Sequence, residues 1–330
     1  MAINKTVLNR IFRQSGQDFE VDTIELRNPF TGQPIGTKLL YRKDNKVALK
    51  VGVSDAFEPF QNSDVKECLV NLAENVHITP LSMGIFDEGR VSYTIFNIGR
   101  ASDKQFHIEN GNFSTYVEKR FALFHHHDGR AGIFIIPIPY EYESQSYFSG
   151  LNMKNPHFSS SIITFRHSRD LNSKLSTIAS NPSPLISTYT HIEALYNKLI
   201  STNVSMDYAI DVLMDEFPVL NVSTKKGTVS INALKNLVDI LENLNSSYYI
   251  KYNEDLVVNK WILYNSVHKI HQFFPLRASA NEENHYYSTL SGNVRDNSQN
   301  FLDIMMTKTG GDGYLTTPQL VEQLKGIIDG

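Results

Sequence analysis

The sequence predicts an α+β protein, with a sheet-rich first half and a mainly helical second half. Three observations predict it. Between residues 19 and 165, apolar residues alternate with polar ones or run in short blocks bounded by Gly, Pro, Asn and Asp. From Asp170 onward the apolar spacing changes to three and four. A chain of 330 residues, 41% hydrophobic and 20% charged, can also bury a real core without staples. The change of period divides a sheet-rich region 1–172 from a helical region 173–330 packed on it, as two domains or as one continuous domain.

The elements follow in order. Met1 to Gln14 carries Val7, Leu8, Ile11 and Phe12 among Lys5, Arg10 and Arg13, which suits a short amphipathic helix better than a secretory signal. Phe19 to Leu26 alternates with period two, and Pro29, Gly32, Pro34 and Gly36 punctuate the loop after it. Lys38–Arg42 and Val47–Val53 form a hairpin around Asp44-Asn45. Val65, Leu69 and Leu72 give Asp64–Asn75 a helical face. Strands over Ile78–Phe86 and Val91–Ile98 are joined by the turn Asp87-Glu88-Gly89-Arg90. Thr115–His127 and Ala131–Tyr140 read as a hairpin closed by Asp128-Gly129, a pair that accepts positive φ. Ser160–Phe165 is a further short strand. Helices follow over Asp170–Ser180, Ile186–Ile200, Met206–Phe217, Ile231–Leu244, Asp255–Phe274 and Asn297–Lys308, with Asn181-Pro182-Ser183-Pro184 as a break. Gly310-Gly311-Asp312-Gly313 reads as a flexible turn before a last helix.

Composition narrows the function classes. A formal net charge of −4 excludes a global basic field, so a nucleic-acid site would be a local patch. The single cysteine, Cys68, excludes an intramolecular disulfide and a cysteine zinc cluster, and fits an intracellular, cytoplasmic protein. Beside Leu69 and Val70 it reads as a buried, inert thiol. No apolar run reaches membrane-spanning length. Neither a Walker phosphate loop, a dinucleotide glycine fingerprint nor a Gly-x-Ser-x-Gly elbow occurs.

The most chemically loaded stretch is Phe124-His125-His126-His127-Asp128-Gly129-Arg130, followed by an apolar run and then Phe165-Arg166-His167-Ser168-Arg169. On a strand His125 and His127 share one face, and such a pair can bind a transition metal, with Asp128 or His167 as further ligands. Solvated histidines at a hairpin end are the alternative. Arg166, His167 and Arg169 sit between a strand and a helix, where an anion can be held. Arg130, Lys174, Lys119 and Arg120 extend these into a basic patch, against the alternative of surface ion pairs. Tyr140, Tyr142 and Phe165 supply rings on which bases can stack, although core packing explains most aromatic residues. Trp261, Tyr264, His268 and His271 share a helix face and read as packing.

Several short segments, in order, resemble a known family. Val51-Gly52-Val53 leads to Phe57-x-Pro59-x-Gln61-Asn62, then a helix over Asp64–Asn75 and a strand pair over Ile78–Ile98. His127-Asp128-Gly129, Leu151-Asn152, Arg166-His167-Ser168 and Leu263-Tyr264-Asn265-Ser266-Val267 complete the series. The order resembles that of the phage/plasmid-like proteins that carry a domain of unknown function, over residues 19–305. The family's cysteine before Leu-Asn is absent here, and Ser168 stands where the family has threonine. The resemblance implies a phage, prophage or plasmid gene and no particular activity.

Three functions are expected from these features. One is a nucleic-acid-binding protein of DNA replication or recombination that holds or anneals single strands, requires no cofactor, and uses Arg130, Arg166, His167, Arg169, Lys174, Tyr140 and Tyr142. Another is a metal-dependent hydrolase or nuclease built on His125, His127 and Asp128. The third is a homo-oligomeric structural or interaction protein assembled through its helices.

Overall fold

A computed structural model describes residues 5–99, 104–110, 113–128, 132–141, 146–147, 163–165, 171–219, 225–274, 288 and 293–329. The chain is α+β: strands concentrate in the first half as antiparallel sheets and helices dominate the second. Two compact units divide it. The first comprises Met1–Gln105, Glu118–Ile138 and Met153–Tyr189; the second comprises Phe106–Val117, Pro139–Asn152 and Thr190–Gly330. The boundary read from periodicity, 172/173, falls inside the first unit, and residues 106–117 and 139–152 join the helical one.

In the first unit, α1 (Lys5–Gln14) precedes β1 (Val21–Arg27), β2 (Pro34–Arg42) and β3 (Ala48–Ser54), which form a three-stranded meander. Its inner face buries Val21, Leu40, Leu49 and Val53 beside Phe19. Then α2 (Asn62–Asn75) leads to β4 (Ile78–Phe86) and β5 (Val91–Ile98). Their tight connection holds Glu88 at φ 56 and Gly89 at φ 99. A Cβ on Gly89 would lie 2.9 Å from Nη1 of Arg42 and 3.0 Å from Cζ of Phe19, so both conformation and space require glycine.

With β8 (Arg120–His126), β9 (Ile133–Pro137) and β12 (Ile163–Phe165), β4 and β5 build an antiparallel five-stranded sheet in the order β12-β9-β8-β5-β4. Its centre reads as continuous apolar sequence because Ala122, Leu123, Phe124, Ile135 and Ile136 are all buried. Helix α3 (Leu171–Ser180) packs on α2, and Sγ of Cys68 faces the Leu175 carbonyl at 3.8 Å. Burial pushes the Cys68 thiol up to about 12, which keeps it protonated and inert.

In the second unit, β6 (Gln105–Asn110), β7 (Phe113–Glu118), β10 (Tyr140–Glu141) and β11 (Ser146–Tyr147) form a sheet of order β11-β10-β7-β6. The strand expected over Thr115–His127 is therefore two strands that break at Lys119 and join different sheets. Helix α4 (Ser183–Ser201) begins in the first unit and passes into the second after Tyr189, and the other helices of the second unit are α5 (Met206–Glu216), α6 (Lys225–Tyr252), α7 (Lys260–Phe273), α8 (Asn293–Thr307) and α9 (Thr317–Asp329). Nearly all of α7 is buried, on every side, as expected of a central helix. Trp261 packs on Tyr196 with ring centroids 4.6 Å apart, Nδ1 of His268 meets Oγ of Ser298 at 2.7 Å, and Nε2 of His271 meets Glu216 at 3.0 Å. Those histidines are scaffold. The glycine-rich turn is equally fixed: a Cβ on Gly313 would sit 2.7 Å from Cα of Ser205. Among the described residues no helix is long and apolar enough to cross a membrane.

Candidate functional site

One end of the five-stranded sheet carries three of the sequence's eleven histidines, His125, His126 and His127. His125 and His127 project from one face of β8 and its end, with ring centroids 3.9 Å apart. Both converge on Asn62, the first residue of α2. Nδ1 of His125 lies 3.2 Å and Nε2 of His127 3.0 Å from its Oδ1, and the Ser92 hydroxyl donates to the same oxygen at 3.0 Å. With protons on Nδ1 of His125 and Nε2 of His127, both imidazoles donate to Asn62, which fixes the two tautomers. The Nδ2 group of Asn62 is buried and has no partner among the described residues.

Helix α2 is aimed at this point by its own entry sequence. The Gln61 N–H donates to Asp64 at 3.0 Å, closing the helix start, while the Gln61 side chain mimics a strand neighbour of Val21. It accepts from the Val21 N–H at 2.9 Å and donates to the Val21 carbonyl at 2.9 Å. Phe60 meets the His125 ring edge-on at 5.5 Å, and Phe19 tilts against His127 at 5.3 Å. Behind Phe19, Arg42 lays its guanidinium 4.0 Å from the ring centroid. That guanidinium also bonds Asp44 at 2.6 Å and the Glu88 carbonyl at 3.0 Å. The hydrogen bond from Arg42 holds the Asp44 carboxyl below its usual range.

The histidines are therefore not the solvated hairpin end that is one sequence alternative: His125, His126, His127 and Asp128 are 0%, 7%, 2% and 1% exposed. His126 projects to the opposite face, stacks on Phe134 with centroids 5.1 Å apart, and lies 3.8 Å from Asp128. Among the described residues no three His, Cys, Asp or Glu side chains converge as metal ligands. Arg130, Arg166, His167, Arg169 and Tyr142 lie outside the described residues. Lys174 is exposed on the first turn of α3, and Tyr140 is half-buried on β10 of the second unit.

Two sequence expectations are corrected here. Phe165 is only 8% exposed and is core rather than a stacking platform. Arg120, expected to extend the patch, pairs with Glu118 at 2.6 Å at the far end of β8, about 20 Å of strand from His126. Asn62 and Ser92 are the site members that sequence reasoning missed; the Gln61-Asn62 pair was the available signal. No protein-family model, curated protein or solved structure matches this chain.

Proposed function

We propose that this protein binds single-stranded nucleic acid in phage or plasmid DNA replication or recombination, at the sheet end that carries His125 and Phe165. Strand register is the observation that supports the reading. Phe165 pairs with Ile133, Ile133 pairs with His125, and His125 pairs with Ser92. The β8–β9 connection and the segment after β12 are thus joined to the sheet at the same end. They carry Arg130 on one side and Arg166, His167 and Arg169 on the other, with Lys174 following on α3. Arg130 and Arg166, 36 residues apart in sequence, thus belong to segments that leave the sheet from paired neighbours, which supports a shared role for them. Phosphate contacts from such a cluster give sequence-tolerant binding and can support annealing. A salt series with a labelled oligonucleotide tests this. Affinity should fall steeply with salt, and Arg166→Ala and Arg169→Ala should each lower the slope by about one. No binding at about 50 mM salt would overturn it.

The 3.9 Å approach of the His125 and His127 rings favours a second reading, a metal-dependent hydrolase or nuclease in which Asp128 or His167 completes the ligand set. Elemental analysis of purified protein tests it: less than stoichiometric metal, with no activity on adding Zn or Mn, removes it. Self-association through the helical half is a third proposal, for which α6 offers Ile250, 86% exposed, and Tyr249, 47% exposed. Light scattering at micromolar concentration separates a monomer from an oligomer.

A further inference from the structure

We propose that the outer face of the β1–β2–β3 meander docks a second copy of this chain, sheet on sheet, about a two-fold axis parallel to the strands.

Both faces of this sheet are apolar, and the core covers one of them. Opposed residues of an antiparallel pair share a face. Ile24 opposes Leu39 and Leu39 opposes Val51, so the three form one row across all three strands. Leu40, next to Leu39, belongs to the inner core, which puts the row on the other side. There Ile24 is 53% and Val51 64% exposed, with Leu39 half-buried between them. A solvated face of an antiparallel sheet carries polar residues at such positions. An apolar row in their place is the mark of a face that another surface covers.

The neighbouring row carries the charge that selects the occupant. Asp22 opposes Tyr41, and Tyr41 opposes Ala48. Nζ of Lys46, just before β3, lies 5.3 Å from the Tyr41 ring centroid. The acid thus stands on the β1 side of the row and the base toward the β3 side. Within its own chain Asp22 accepts from the Thr23 N–H at 2.7 Å and stands 4.0 Å from Nζ of Lys43, and its side chain stays 45% exposed. Lys46 has no carboxylate partner among the described residues.

A two-fold axis parallel to the strands lays β1 of one copy on β3 of the other, and β2 on β2. Ile24 then meets Val51 of the second copy, Leu39 meets Leu39, and Asp22 reaches Lys46. The apolar row and the charged row are each complementary to themselves in this one orientation. A two-fold axis across the strands would lay β1 on β1 and keep Asp22 away from Lys46. Sheets packed face to face lie about 10 Å apart with strands nearly aligned, which places such side chains in contact. Seven-residue strands span roughly 23 Å and three strands roughly 14 Å, so the contact is among the smaller specific interfaces and its dissociation constant falls in the micromolar range.

The test is sedimentation velocity of the full chain from about 1 to 100 μM, a range that brackets a micromolar dissociation constant. The expected result is a monomer–dimer equilibrium in wild type. Val51→Lys, at an exposed strand position, should be monomeric throughout with unchanged circular dichroism. Exchange of charge is the sharper test. Asp22→Lys sets lysine against lysine at both ends of the dimer, and Lys46→Asp sets aspartate against aspartate. Each alone should raise the dissociation constant by roughly tenfold or more. Mixed together, the two variants should form a heterodimer of near wild-type affinity, because both contacts again join lysine to aspartate. A wild-type monomer at the highest concentration, a dimer that survives Val51→Lys, or a mixture no tighter than either charge variant alone would overturn the proposal. Ile250→Lys on α6 should leave the dimer intact. Dissociation by that substitution would place the contact in the helical half and overturn the assignment to the meander.

Discussion

Nε2 of His127 and Oδ1 of Asn62 lie 3.0 Å apart, joining the end of β8 to the first residue of α2 across 65 residues of sequence. The same oxygen serves His125 and Ser92, so one amide binds a helix start to two neighbouring strands. Such a fully buried polar junction specifies one arrangement of helix on sheet, because any other strands its donors.

Asn62→Leu keeps the volume and removes the shared acceptor. Each buried donor left without a partner costs about 1–3 kcal/mol, so urea unfolding should show a loss of roughly 3 kcal/mol or more. Ser92→Ala removes one donor together with its need and should cost about 1 kcal/mol. Equal effects from the two substitutions would mean that the amide is not the hub.

Arg42 has 9% of its side chain exposed, whereas its partner Asp44 is 48% exposed. Arg42→Ala loses the Phe19 contact and the Glu88 bond along with the ion pair, and should destabilise by about 2–4 kcal/mol. Asp44→Ala should cost less, since the exposed carboxylate is screened by solvent. Arg42→Lys keeps the charge without the fork and should fall between them in a denaturant series.

Glycines make a matched pair. Gly326 lies inside α9 with nothing within 4 Å of a built Cβ, and Gly326→Ala should stabilise by about 0.5–1 kcal/mol. Gly313→Ala would press on the Ser205 backbone and should cost about 1–3 kcal/mol. Melting temperatures that move the same way in both variants would contradict this geometry.

Alkaline pH should unfold the protein progressively. Cys68 is raised from 9.0 to about 12 by burial, and Tyr208 from 10.0 to about 12 by burial with a contribution from Asp211. The fold favours the protonated forms, so this stability is complete below pH 9.0 and drains away as the pH rises toward about 12. Iodoacetamide labelling of Cys68, the single cysteine, should track unfolding and be negligible in the native state at pH 8.

If Arg166-His167-Ser168 forms a ligand site, Arg166→Ala and His167→Ala should abolish oligonucleotide binding with nearly unchanged melting. A large fall in melting temperature, with binding per folded molecule intact, would identify the segment as scaffold, since breaking a buried ion pair costs about 3–5 kcal/mol.

Much of the fold was legible because its signals are local. The change of period after residue 165, the turn Asp87–Arg90 and the pairing of β8 with β9 each depend on signals from nearby residues, while the Asp128-Gly129 turn expected to close that pair runs outside the described residues. What escaped depends on partners. Alternation marks Thr115–His127 as extended, but cannot say that Lys119 divides it between two sheets. The helix expected from Asp255 starts at Lys260, because Asn259 caps it by accepting from the Ile262 N–H at 2.9 Å, and Val257 and Asn259 make β-bridges. At the site, spacing two apart on a strand revealed the His125–His127 pair. Their acceptor lies too far away in sequence for any periodicity to reveal it. Lys119-Arg120 looked like exposed charge, because sequence alone does not show Glu118 folding back onto Arg120.

The Asn62 junction also sets an order of events in time. Its partners are 30, 63 and 65 residues downstream. During synthesis Ser92 is made first of the three. The 35 residues between Ser92 and His127 then take roughly 2–7 s to translate. For that interval the chain holds only one of the three donors that meet Asn62 in the finished fold. The arrival of β8 ends it, so the histidines act as the latch that closes this part of the fold.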